Sequence, residues 1–294
     1  MILSIIIPVY NGEDTIELLY NKIRKELGEG ISFEVIFVYD CGKDKSWEVI
    51  TELARNNPQN IRGFHLEKNY GQHDAILFGM GKAAGEYIVT MDEDMQHDPA
   101  YIKKLLLKQK ERDYDVVYAV FESTRHPGLR NITSDLLRKI LRVIVPGIFP
   151  DYSPYRLIKK DIALKLAKLH NSYSFIDGYL GLLKPRFGTI DAIHHKRASG
   201  SSSYSIYRLL RHAVFVTIAY SPLKKWLLYT AIGLNLVSFT IYKLSLQNPI
   251  TDSIYQAGFI TGIILLFIAL LAEILHYGRM RLISAPNSIV NTRA

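Results

Sequence analysis

Asp92 and Asp94 sit one residue apart in Met91-Asp92-Glu93-Asp94-Met95-Gln96-His97, directly after the apolar run Tyr87-Ile88-Val89-Thr90. A strand ending in Asp-x-Asp delivers two carboxylates to the carboxyl edge of a sheet, the edge at which open α/β folds bind ligands. Carboxylate oxygens are hard ligands suited to Mg²⁺ or Mn²⁺, and such an ion is normally completed by substrate phosphates. The spacing therefore points to chemistry on a diphosphate-bearing substrate. The same acids also suit a turn leading into a helix that starts at Asp98-Pro99. An isolated Asp-x-Asp fits both readings, so the surrounding elements must decide.

Those elements alternate. Leu3 to Val9 is a continuous β-branched run that reads as a buried strand. After the Asn11-Gly12 turn, Asp14 or Thr15 starts a helix reaching about Leu27. Strands follow at Phe33–Val38, Ile61–Leu66, Tyr87–Met91 and Val116–Val120, with helices from Ser46 and over Asp74–Ala84 between them. This alternation predicts an α/β fold with a mostly parallel, doubly wound sheet. Four polar segments then follow strands and meet on one edge. They are Pro8-Val9-Tyr10-Asn11, Tyr39-Asp40-Cys41-Gly42-Lys43-Asp44, Lys68-Asn69-Tyr70-Gly71-Gln72-His73-Asp74 and the acidic segment at 92–97.

Composition narrows the partners. The net charge is +8 at pH 7, which favours a lipid surface or a phosphorylated substrate. Nucleic acid is not expected, because no recognised binding motif accompanies the charge. The single Cys41 excludes an internal disulfide and a cysteine-cluster metal site. Met1 to Tyr10 lacks a basic leader and breaks at Pro8, so it reads as a strand rather than a signal peptide.

The pattern changes after residue 125. Asn131 to Val145 and Ile206 to Tyr220 set apolar residues beside Arg138, Lys139, Arg142, Arg208 and Arg211. Such helices either lie in a membrane interface or face a core with a solvated basic side. Trp226 to about Leu246 and Ile254 to about Leu275 each approach the roughly 20 residues needed to span a bilayer. Lys224 and Lys225 precede the first run, Arg279 and Arg281 follow the second, and the connector 247–253 has neither Lys nor Arg. Positive-inside bias therefore predicts a two-span membrane protein with its large domain and both termini in the cytosol. The expected organisation is a core over 1–125, an acceptor-binding part with interfacial helices over 126–223, a transmembrane hairpin over 224–277 and a tail over 278–294. Homo-oligomerisation is left open by the sequence.

The ordered set of four segments resembles family 2 glycosyltransferases of the GT-A fold, and within them the polyprenyl-phosphate glycosyltransferases related to dolichyl-phosphate mannose synthase. The resemblance runs over nearly the whole chain, including the C-terminal hairpin. It implies that Pro8, Tyr10 and Asp40 hold the nucleotide, that Asp92 serves both nucleotide and metal, and that Asp92, Asp94 and Gln96 bind Mg²⁺ or Mn²⁺ on the donor diphosphate. Pro150-Asp151-Tyr152-Ser153-Pro154-Tyr155-Arg156-Leu157 is similar to a family segment of the form Asp-x-Gly-Asp-Phe-Arg-Leu, with Pro154 at its second acid. His194 to Tyr204 is similar to Arg-x-x-Gly-x-Ser-Lys-Tyr, keeping Arg197, Gly200, Ser202 and Tyr204, with Ser203 at the lysine.

These matches imply an acceptor-phosphate site with Arg156, Arg197, Ser202 and Tyr204, and Arg125 and Arg130 are further candidates for it, since the planar guanidinium suits a phosphate. Asp94, Arg197, Asp151 and Asp177 become the candidate catalytic residues, with Asp177 either a general base or a loop acid. Arg125 and Arg130 also suit solvated or lipid-facing positions, and His73, His97, His194 and His195 also suit structural roles. The expected reaction is inverting transfer from a nucleoside-diphosphate sugar to a polyprenyl phosphate at the cytosolic leaflet. The rivals are transfer to a sugar hydroxyl of a glycan or glycolipid, and an inactive nucleotide-binding membrane scaffold. A processive synthase lacks its Gln-x-x-Arg-Trp motif here, and a nicotinamide site lacks Gly-x-Gly-x-x-Gly after the first strand.

Overall fold

The computed structural model describes residues 2–121, 147–169, 174–193, 223–244 and 249–281. Its centre is a seven-stranded sheet in the order β3-β2-β1-β4-β6-β5-β7. The strands are β1 (Leu3–Val9), β2 (Phe33–Tyr39), β3 (Ile61–His65), β4 (Tyr87–Thr90), β5 (Val116–Phe121), β6 (Arg156–Lys159) and β7 (Phe187–Ala192). The first four are mutually parallel, with Val9 opposite Tyr39 and Ile6 opposite Thr90. β6 runs antiparallel to both β4 and β5.

Helices cover both faces. They are α1 (Ile16–Leu27), α2 (Ser46–Asn56), α3 (Gln72–Lys82), α4 (Tyr101–Arg112), α5 (Lys160–Ala167) and α6 (Ile176–Leu183). Alternation along β1 splits the core. Ile5 and Ile7 join the layer of α1, α2 and α4, whereas Ile6 joins the layer of α3, α5 and α6. Each such fully buried side chain contributes roughly 1.5–3 kcal/mol. Gly79 lets α3 lie directly on β1, since a Cβ there would sit 2.6 Å from Ile6 Cγ2.

The doubly wound reading holds for β1 to β5. The sequence reading did not foresee β6 or β7. Only Leu157 and Ile158 of β6 are apolar, and its first residue is an arginine, so neither periodicity nor run length announces a strand. α3 starts at Gln72 rather than Asp74, because Gly71 turns the chain at φ 95° just before it.

Two further helices, α7 (Leu223–Leu244) and α8 (Pro249–Arg281), lie against each other, with Gly258 facing Ser238 and Gly262 facing Asn235. Among the described residues no helix is long and apolar enough to cross a membrane. The two amphipathic segments expected at 131–145 and 206–220 lie outside the described residues.

Candidate active site

The carboxyl ends of β1, β2, β3 and β4 bring the four polar segments together. The loops after β1 and β2 are stitched by side chain to backbone hydrogen bonds. The amide of Lys43 donates to Asn11 Oδ1 at 2.7 Å, that of Gly12 to Ser46 Oγ at 2.9 Å, and that of Lys45 to Glu13 Oε2 at 2.8 Å. Asn11 and Cys41 hold left-handed backbone at φ 59° and 54°, which lets the two loops turn sharply toward each other. Pro8 is buried within β1, and Tyr10, just past its end, is 41% exposed.

Asp40 lies at the floor of this cradle. Its two oxygens accept the amides of Tyr70 and Gly71, both at 2.7 Å, and so fix the entry to α3. Burial pushes its carboxyl up to about 6, and those two amides partly offset the rise. A carboxylate carries about four lone-pair sites, so Asp40 keeps acceptor capacity for a base edge. Asp74 in the first turn of α3 is also pushed up to about 6 by burial. The Ser174 hydroxyl, which donates to it, opposes the rise, and the Asp40 charge adds to it.

The acidic segment folds back on itself. Met95 adopts φ 65°, and Asp94 Oδ1 accepts the Gln96 amide at 3.1 Å. Gln72, the first residue of α3, donates from Nε2 to Asp92 Oδ1. Glu93 points away from its neighbours and packs on the β1 loop, where Oε1 accepts the Tyr10 amide at 3.3 Å. Burial, followed by the Asp92 charge, pushes the Glu93 carboxyl up to about 8. With Glu93 turned onto the β1 loop, Asp92 and Asp94 are the acidic pair left at the edge of β4. Among the described residues no three His, Cys, Asp or Glu side chains are placed so that they alone could hold a metal ion. The donor set here is two carboxylates and the Gln96 amide, all oxygen ligands, which fits Mg²⁺ or Mn²⁺ with phosphates and water completing the shell.

Because β6 is antiparallel to β4, the segment before it lies on this same edge. Thr90 Oγ1 donates to the Pro154 carbonyl at 2.7 Å, and Asp151 is exposed nearby in sequence. Two of the candidate residues pair with each other here. Arg156 was expected to bind the acceptor phosphate, but it is fully buried, donating from Nε to Thr90 Oγ1 and from Nη1 to Asp177. Asp177 was a candidate base, but it is 3% exposed and holds both Arg156 and, at 2.8 Å, the Tyr118 hydroxyl. A buried charge needs such partners, so the two residues serve each other. Arg125, Arg130, Arg197, Ser202 and Tyr204 lie outside the described residues, as do His194 and His195.

Sequence reasoning assigned no role to Gln72, Glu93 or Asp74. The available signal was a run of polar residues immediately after a strand, at a helix start, where side chains reach a shared edge.

The model of the glycosyl transferase family 2 domain matches residues 4–167, which span β1 to α5 and carry every loop just described. The chain belongs to glycosyl transferase family 2. The family reading makes the edge of β1 to β4 the candidate transfer site of an enzyme, a glycosyltransferase. Among curated relatives, the undecaprenyl-phosphate 4-deoxy-4-formamido-L-arabinose transferase of Pectobacterium atrosepticum is 29% identical over 75% of this chain and 68% of its own length. The protein of the same name from Photorhabdus laumondii is 27% identical over 94% of this chain and 86% of its own. Solved glycosyltransferases share the fold. A mannosyltransferase from Pyrobaculum calidifontis in complex with GDP-Man and Mn²⁺ superposes with a TM-score of 0.51 at 15% identity, over 92% of this chain and 73% of that one. Glucosyl-3-phosphoglycerate synthase from Mycobacterium tuberculosis gives 0.53 at 15% identity, over 74% of this chain and 79% of that one.

Proposed function

We propose that the protein is a membrane-anchored, metal-dependent, inverting glycosyltransferase that moves a sugar from a nucleoside-diphosphate donor to a polyprenyl phosphate at the cytosolic leaflet. The observation that carries the acceptor is the likeness to undecaprenyl-phosphate transferases over 94% of the chain, C-terminal helices included. In this reading Pro8, Tyr10 and Asp40 hold the nucleoside, and Asp92, Asp94 and Gln96 hold Mg²⁺ or Mn²⁺. The ion supplies positive charge against the departing diphosphate.

An acceptor phosphate oxygen attacks the anomeric carbon from the face opposite the diphosphate. The carbon–oxygen bond to the diphosphate breaks, and the nucleoside diphosphate leaves. A phosphate monoester has a second pKa near 6, so it is largely dianionic at pH 7 and needs no proton removed. The burial of Asp177 against Arg156 and the proline at 154 both favour a reaction without a general base. Arg125, Arg130 and Arg197, with Ser202 and Tyr204, are left to hold the acceptor phosphate, and arginine suits it because its planar fork donates two hydrogen bonds at once.

The membrane hairpin is supported by α7 and α8. Leu236, Phe239, Ile260 and Phe267 are 55–65% exposed on them, and exposed apolar surface of this kind needs a non-aqueous partner. The sequence run Ile254–Ala272 is uncharged, close to the roughly 20 residues of a span. A panel of nucleotide sugars offered with undecaprenyl phosphate and Mg²⁺ or Mn²⁺, read by mass, tests the proposal. One sugar should appear on the lipid phosphate. Donor hydrolysis without any lipid product, across the panel, would overturn it.

A further inference from the structure

The end of β4 leaves a backbone donor to be satisfied. Met91 makes the last sheet bond of that strand, its amide donating to the Ile6 carbonyl at 3.2 Å. The next amide, that of Asp92, donates instead to a side chain, His97 Nδ1, at 3.0 Å. The left-handed Met95 folds the loop back so that a residue five positions on can reach this amide. An imidazole nitrogen that accepts from an N–H carries no proton, which places the ring proton on Nε2. That nitrogen lies 3.9 Å from Asp92 Oδ2.

The ring itself is held rigidly. His97 is 2% exposed, and its ring stacks on Phe121 and Tyr155 at 5.4 and 5.1 Å with interplanar angles of 10° and 14°. The Tyr155 hydroxyl is tied in turn to the Asp98 carbonyl at 2.8 Å. From the other side, Gln72 on α3 donates to the Asp92 carboxylate. Asp92 is thus gripped at its backbone by His97 and at its side chain by Gln72, from two separate elements. We infer that His97 is a positioning residue, an aromatic-stacked acceptor that fixes the backbone of Asp92 and so presets the metal-binding pair. The inference rests on the reading of Asp92 and Asp94 as ligands.

Two substitutions separate the acceptor from the stack. His97→Phe keeps the ring stack and removes the acceptor. His97→Asn places an acceptor oxygen near the position of Nδ1 and loses the stack. Binding of Mn²⁺ to the full-length protein in detergent is followed by electron paramagnetic resonance of free Mn²⁺, with metal alone and with UDP or GDP added. Loss of an outer partner of a metal ligand typically weakens affinity about 10–100-fold, which is the effect expected for His97→Phe. His97→Asn should bind within about threefold of wild type while melting at lower temperature. The ¹⁵N resonances of His97 in the unaltered protein should show Nδ1 unprotonated and Nε2 protonated. Wild-type affinity in His97→Phe, an equal loss in His97→Asn, or the opposite tautomer would each overturn the inference. Asp94→Asn, measured alongside, isolates the underlying reading: if it binds Mn²⁺ as wild type does, the metal site itself is misassigned.

Discussion

Arg156 and Asp177 form an ion pair sealed between β6 and α6, their side chains 1% and 4% exposed. The Tyr118 hydroxyl completes the carboxylate's shell, and the remaining Arg156 nitrogen, Nη2, is buried without a hydrogen-bond partner. Removing one member leaves the other charge uncompensated, at a cost of about 3–5 kcal/mol. Asp177→Ala should therefore destabilise the protein by that amount in denaturant unfolding, and Arg156→Met combined with Asp177→Leu should recover much of the loss. Full stability in Asp177→Ala together with abolished turnover would return Asp177 to a catalytic role.

Asp94→Asn is nearly isosteric and removes one carboxylate from the loop after β4. A turn that merely led into α4 would tolerate it. The expected result is a folded protein with no metal-stimulated transfer. Activity within about tenfold of wild type, roughly 1.4 kcal/mol in the barrier, contradicts the metal assignment.

Asp74 makes stability depend on pH. Its folded carboxyl titrates near 6, above the ordinary carboxylate value, so the folded state binds this proton more tightly than the unfolded chain does. Its contribution is complete below about pH 4 and is lost as pH rises toward 6. Asp74→Asn should flatten the stability profile across that window by on the order of 2 kcal/mol. An unchanged slope between wild type and variant would show that Asp74 is not held protonated.

The proposed membrane hairpin and its orientation can be tested with thiols. Cys41 is the chain's single cysteine and is partly exposed on the β2 loop. With the catalytic domain in the cytosol, a membrane-impermeant maleimide should label Cys41 only after cells are permeabilised. In a Cys41→Ala background, Ser253→Cys should label in intact cells. Labelling of Cys41 in intact cells would reverse the topology.

β1, β2 and β4 were legible because each is a mostly apolar run ended by polar residues, whereas β3, with Arg62, Gly63 and His65, was legible only from its place in the strand–helix alternation. Asp92, Asp94 and Asp40 fall where that pattern places them. β6 was not legible, since its arginine is tolerated only through a partner, Asp177, 21 residues away. For the same reason Arg156 and Asp177 read as functional charges. Sequence shows that a charged residue is present, and only packing shows that it is spent on another. Gln72 and His97 were hidden differently. The role of His97 depends on a backbone amide at a strand end, and that of Gln72 on the fold bringing the start of α3 beside Asp92, and neither leaves a signature in the sequence.

In the proposed reaction the acceptor is a phosphate that needs no general base. The most direct measurement compares undecaprenyl phosphate with undecaprenol, using the nucleotide sugar that the panel selects and the same metal. The two lipids differ only in the attacking group. Undecaprenyl phosphate should be glycosylated with a kcat/KM on the order of 100-fold or more above the alcohol, the scale of one preorganised electrostatic contribution. Equal or faster transfer to undecaprenol, or transfer only to a glycan hydroxyl, would contradict it.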